Sequence, residues 1–224
     1  MEISISLDPA VDNTENLEKY ISECNQIRGV TFHVDIMRPS YVPRTAVTIP
    51  QYRYIMQHAS HLADVHFMTD TADIDAILPE VLEHMPPRSV TFHIETIDSA
   101  AAKRYFEILR ENDIYAGIAI DIDTAIESID PELLFACDVF TVMSVKAGKS
   151  GQTFQPAALE KARTLRAKFP NTRIIMDGGI NDKNIADVAA AGVSVAVIGS
   201  YLHRIASQTQ RALSVAALAD IARK

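Results

Sequence analysis

Short blocks along the chain alternate between apolar and polar residues. In the run Val30-Thr31-Phe32-His33-Val34-Asp35-Ile36-Met37, an extended backbone puts Val30, Phe32, Val34 and Ile36 on one side. Thr31, His33, Asp35 and Met37 fall on the other. Residues 62–68 repeat the pattern, with Ala63, Val65 and Phe67 opposite Asp64, His66 and Met68, and residues 89–94 set Val90, Phe92 and Ile94 against Thr91 and His93. Further β-branched runs at 2–7, 115–120, 139–143, 173–177 and 195–198 read as strands. Between the strands, apolar residues recur at helical spacing, most clearly over 14–26, 100–112, 157–169, 184–191 and 208–223.

Strands that alternate with helices predict a parallel sheet. Such a sheet is covered by helices, so a polar face on several strands needs an explanation. A closed barrel supplies one, because its inner face opens into a site at the end of the lumen. Eight units in 224 residues therefore predict an α/β fold of the (β/α)8 TIM-barrel type, at the compact end of its size range. An open, doubly wound sheet is the alternative. No Pro/Gly/Ser-rich linker or charge block interrupts the pattern, so residues 1–224 are expected to form a single barrel domain.

Composition narrows the function. At 48% apolar and 22% charged residues the chain is an ordinary globular one rather than a disordered or collagen-like one. Lys and Arg number 21 against 29 Asp and Glu, a net charge of −8. That argues against a nucleic-acid partner, which needs clustered cations, but leaves phosphate binding by backbone N–H groups open. The N-terminus lacks the basic and apolar regions of a signal peptide. The most apolar stretch, 193–198, falls well short of the ~20 residues a membrane span requires. Cys24 and Cys137 show neither CxxC nor metal-type spacing and read as reduced thiols in a cytoplasmic protein.

In a barrel, chemistry belongs at the C-terminal ends of the strands. Those ends carry His33 and Asp35 on the second strand, His66 on the third and Asp177 on the seventh. Two imidazoles and two carboxylates converging on one axis form a donor set suited to one divalent metal, Zn, Fe or Mn. His58, His61, His84 and His203 lie on helix or loop segments and carry no such expectation. Gly178 and Gly179 follow the seventh strand, Gly199 and Ser200 the eighth, and Gly148 and Gly151 the sixth. These are loops where barrels hold a phosphate, although each glycine by itself is explained by a tight turn. The Gly148-Lys149-Ser150 run is not a P-loop, since the first glycine of that motif would fall at Met143.

The residues in order resemble the ribulose-phosphate 3-epimerase family across essentially the whole chain. The segments that carry the likeness begin with His33-Val34-Asp35-Ile36-Met37, Tyr41-Val42-Pro43, Asp64-Val65-His66-Phe67-Met68, Thr91-Phe92-His93 and Ala116-Gly117-Ile118. They continue with Val142-Met143-Ser144-Val145, Gly151-Gln152-Thr153-Phe154, Asp177-Gly178-Gly179-Ile180 and Gly199-Ser200. The resemblance implies a metal held by His33, Asp35, His66 and Asp177, with Asp35 and Asp177 as the acid/base pair on opposite faces of a small ketose phosphate. It also implies that Met37, Met68 and Met143 surround the reacting carbons. A strand-one serine completes the family's site, for which Ser4 is the better match and Ser6 the alternative. The implied reaction is metal-dependent interconversion of D-ribulose 5-phosphate and D-xylulose 5-phosphate through an enediolate, in a homo-oligomer.

The chain also departs from the family. Arg38 stands where the family has an acidic residue, and Arg44 where it has asparagine. Asp121-Ile122-Asp123-Thr124-Ala125 replaces an Asn-Pro-x-Thr-Pro stretch, and Ala147-Gly148-Lys149-Ser150-Gly151-Gln152 replaces Pro-Gly-Phe-Gly-Gly-Gln. Arg38, Arg44 and Lys149 are expected either to add positive charge at the mouth or to be solvated loop charges. Two other outcomes are another ketose phosphate, such as allulose 6-phosphate, as substrate, and a non-catalytic sugar-phosphate-binding barrel. The related decarboxylase and hexulose-phosphate synthase barrels need Asp-x-Lys-x-x-Asp, and residues 64–69 lack both the lysine and the final aspartate.

Overall fold

The computed structural model describes residues 1–83 and 86–223; His84 lies outside the described residues. Eight parallel strands close into a barrel in chain order: β1 (Glu2–Ser6), β2 (Val30–Met37), β3 (Ala63–Met68), β4 (Ser89–His93), β5 (Tyr115–Ile120), β6 (Val139–Met143), β7 (Arg173–Asp177) and β8 (Val195–Ile198). The helices that cover it are α1 (Thr14–Cys24), α2 (Ile49–His58), α3 (Thr71–Glu83), α4 (Ser99–Glu111), α5 (Pro131–Ala136), α6 (Ala157–Lys168), α7 (Ile185–Ala190), α8 (Ser200–His203) and α9 (Gln208–Ile221). Asn13, Asp98 and Ser207 cap α1, α4 and α9 by accepting from backbone N–H groups of the first turn. Thr48 and Gln51 form a reciprocal capping box on α2. Among the described residues no helix is long and apolar enough to cross a membrane.

Strand alternation sorts side chains as the pattern predicts. Phe32, Phe67, Phe92 and Phe140 point outward into the layer beneath the helices and are fully buried. The inner face divides by strand. Val139, Ile175, Val195 and Val197 form a separate apolar cluster on β6, β7 and β8, whereas β1 to β4 contribute serine, threonine, histidine and aspartate. Gly117 on β5 is required by packing, since a Cβ there would lie 1.8 Å from the Val139 carbonyl oxygen.

The N-terminal end of the barrel is closed by charge. Arg88 pairs with the buried Asp64 and, at 2.8 Å, with Glu2, and Glu2 also binds Arg173. Ser89 Oγ donates to Asp64 Oδ1 at 2.6 Å. Asp64 shares the inner face with His66 but belongs to this plug. The polar lumen opens at the C-terminal end, where the strand-end residues collect.

Candidate active site

The register of β2, β3 and β7 brings four donors together. Asp35 pairs with His66 across β2 and β3, His33 lies one inward position below Asp35, and Asp177 ends β7 opposite Val197. His33 Nε2 is 3.2 Å from Asp35 Oδ1 and 3.9 Å from Asp177 Oδ2. His66 Nδ1 is 3.4 Å and 3.8 Å from the same two oxygens. All four donor atoms fall within 4.8 Å of one another. A tetrahedron of N and O ligands with bonds of about 2.1 Å has edges of about 3.4 Å, so this spacing fits a divalent cation. Both nitrogens of His33, both of His66, and Asp35 Oδ1 are buried without a hydrogen-bond partner among the described residues. Buried polar atoms are rarely left so, and a cation gives the donors facing it a partner.

As protein groups alone, the four differ sharply in proton affinity. Burial opposes a charge on His33, but Asp35 beside it raises the pKa to about 9. Burial likewise opposes a charge on Asp35, and His33 holds its pKa well below the usual carboxylate range. Burial lowers His66 to about 4. Burial, then the charge of Asp35, raises Asp177 to about 7. Two carboxylates with opposed protonation preferences are the arrangement that acid/base pairs use.

Above the donors lies an open cleft. Its wall contains Met37, Met68 and Met143, and its glycine-rich side contains Gly148, Gly151, Gly178, Gly179, Gly199 and Ser200. Gly178 and Gly179 have φ of +118° and +63°, where side chains are strained. A Cβ on Gly179 would approach the Phe154 nitrogen to 2.5 Å, so the β6 and β7 loops interlock through bare backbone. Ser6, not Ser4, reaches the cleft, and its hydroxyl donates to Asp35 Oδ2 at 3.2 Å. Both serines face inward, but Ser4 pairs with Thr31 one layer below, fully buried and without a hydrogen-bond partner among the described residues. His58 and His203 lie on helices and His61 on a loop, away from the donors.

The mouth charges separate into two kinds. Arg38 Nη1 donates to the carbonyls of Met37 and Ala46 at 2.7 and 3.1 Å, which pins the loop after β2. Arg44 pairs with Asp8 and Asp12 at 3.1 and 3.2 Å. Neither lines the cleft, so these two arginines serve the loops. Lys149 does line it, together with Lys146 and Asp8, which the sequence pattern did not single out. Lys146 bridges Asp121 and Asp123 at 2.9 and 3.0 Å. Asp8 is buried beside Asp35, and burial followed by the charge of Asp35 raises its pKa to about 6. A turn immediately after a strand was the only signal that could have flagged it.

The model of the ribulose-phosphate 3 epimerase family matches residues 2–203. The chain belongs to that family. Ribulose-phosphate 3-epimerase of Helicobacter pylori (strain ATCC 700392 / 26695) is 31% identical over 176 residues, 77% of this chain and 78% of that protein. The enzyme of the same name from Escherichia coli (strain K12) is 30% identical over 173 residues, 75% and 74% of the two chains. Membership makes the protein an isomerase of the epimerase type. Solved structures show the barrel alone: a mutant tryptophan synthase α-subunit from Pyrococcus furiosus superposes with a TM-score of 0.69 over 98% of this chain and 97% of its own, at 12% identity. Phosphoribosyl anthranilate isomerase from Thermus thermophilus gives 0.63 over 99% and 100%, at 15%.

Proposed function

We propose that the protein is a metal-dependent 3-epimerase that interconverts D-ribulose 5-phosphate and D-xylulose 5-phosphate. One observation carries the reading: His33, Asp35, His66 and Asp177 converge within 4.8 Å on the floor of a cleft walled by methionine and glycine. A divalent cation bound by these four, with Zn, Fe and Mn all suited to the donor set, would polarise the C2 carbonyl and stabilise charge developing on the enediolate.

The chain's own residues account for the rest. One of Asp35 and Asp177 removes the C3 proton, and the other delivers a proton to the opposite face, inverting that carbon. Positioned transfer of this kind contributes about 10²–10⁴-fold. Ser6 holds Asp35 Oδ2, which leaves Oδ1 turned toward the donor cluster. Met37, Met68 and Met143 form a pliable apolar wall against a carbon framework that flattens during reaction. Gly178, Gly179, Gly199 and Ser200 offer backbone close to the phosphate of the substrate.

Purified, metal-replete protein incubated with D-ribulose 5-phosphate in D₂O is expected to exchange the C3 proton and accumulate xylulose 5-phosphate, and a chelator is expected to stop both. Absence of exchange in metal-replete protein would refute the reading. Lys146 and Lys149 on the cleft wall favour a second reading, a different ketose phosphate such as allulose 6-phosphate. The ratio of kcat/KM values for the two substrates decides between them.

A further inference from the structure

A metal-binding imidazole is ordinarily aimed by a hydrogen bond at the ring nitrogen that faces away from the metal. His66 has no such bond. Its Nδ1 faces Asp35 and Asp177, while its Nε2 is buried without a partner among the described residues. Rings hold it instead. His93 stacks on His66 with centroids 4.9 Å apart and planes 21° apart, and His33 meets it edge-on at 5.5 Å. The terminal torsion of a histidine is otherwise broad. A ring turning about it must pass through the perpendicular orientation, and a parallel ring at contact distance blocks that passage.

His93 is itself tied down. It ends β4 and is fully buried. Its Nδ1 lies 2.7 Å from Glu95 Oε2 and 3.1 Å from the Tyr41 hydroxyl. Tyr41 in turn donates to Asp121 Oδ2 at 3.1 Å, and the Asp121 backbone N–H donates to Glu95 Oε1 at 2.9 Å. Loops after β2, β4 and β5 thus fix the plane of one ring. Neither His93 nor Glu95 lines the cleft, so any effect on chemistry must pass through His66.

We propose that His93, clamped by Glu95 and Tyr41, is a positioning residue that sets the ring of His66 by stacking and thereby aims Nδ1 at the cation. The role rests on the metal-site reading above. The test is a Co²⁺ titration of metal-stripped protein, read by visible ligand-field absorption and by competition with a chelator, well below the melting temperature of every variant. His93→Ala is expected to weaken Co²⁺ binding by about 10–100-fold and to alter the absorption bands, lowering kcat more than it raises KM. His93→Phe keeps a stacked ring but loses the Nδ1 ties to Glu95 and Tyr41, and is expected to retain more of the affinity than His93→Ala. Glu95→Ala loosens the ring and is expected to fall between His93→Ala and the unmodified protein.

Unchanged Co²⁺ affinity and spectrum in folded His93→Ala would overturn the proposal. If that variant does not fold, unchanged affinity and spectrum in Glu95→Ala overturn it. A loss in His93→Phe as large as in His93→Ala also overturns it. A different pattern marks failure of the metal site itself, and with it this role: unmodified protein that takes up no Co²⁺, or His66→Ala that binds it equally well.

Discussion

Ser6 and Ser4 differ by two residues, point to the same side of β1, and meet different surroundings. Ser6 Oγ binds Asp35 Oδ2 at 3.2 Å and its oxygen accepts from the Asp8 N–H at the same distance. Ser4 has no hydrogen-bond partner among the described residues. A hydrogen bond to a charged group is worth about 1.5–3 kcal/mol. Ser6→Ala is therefore expected to lower kcat well below that of Ser4→Ala in steady-state assays, and the reverse ranking would return Ser4 to the site. The donors at 33, 35, 66 and 177 were legible at this scale, because parity within a strand and position at its end are both written in sequence. Depth was not, since it depends on the stagger between strands.

Strand β3 also carries a load at its other end. Asp64 on β3 is 1% exposed and depends on Arg88 at the start of β4, bound through both Nε and Nη2. Removing one partner of a buried pair costs about 3–5 kcal/mol. At about 2–4 °C per kcal/mol for a chain of this size, Arg88→Met is expected to lower Tm by roughly 10 °C, measured by thermal unfolding. The turn after β4 adds a pH dependence. Burial alone would raise the pKa of Glu95, but the His93 ring and its other hydrogen bonds lower it from 4.5 to about 2. A depressed carboxylate stabilises the fold above its unfolded value and loses that contribution as pH falls through its folded one. The displacement corresponds to about 3 kcal/mol. The Tm deficit of Glu95→Gln should accordingly be full near neutral pH, shrink below about pH 4.5 and vanish near pH 2.

Over the whole molecule, a net charge of −8 opposes the approach of a phosphate ester, so positive charge in the cleft has to act locally. Lys149 and Lys146 line it, but Lys146 is shared with Asp121 and Asp123. Lys149→Glu is expected to raise KM for a sugar phosphate several-fold at low ionic strength while leaving kcat less affected. The difference should fade as salt shortens the screening length to about 8–10 Å near physiological strength. A KM indifferent to this reversal would remove Lys149 from substrate binding.

The alternation of apolar and polar residues was enough to determine the strands, the number of repeats and the side each side chain takes, because a two-residue period depends only on local backbone geometry. It also separated inward His33 and Asp35 from outward Phe32 and Val34. Which partner each inward or loop residue meets was decided by the closed barrel. Arg44 finds Asp8 across 36 residues, Arg38 turns back onto carbonyls of its own loop, and His93 lands on His66 from the next strand. Those pairings arise from strand stagger and loop packing, which exist only once all eight strands have closed.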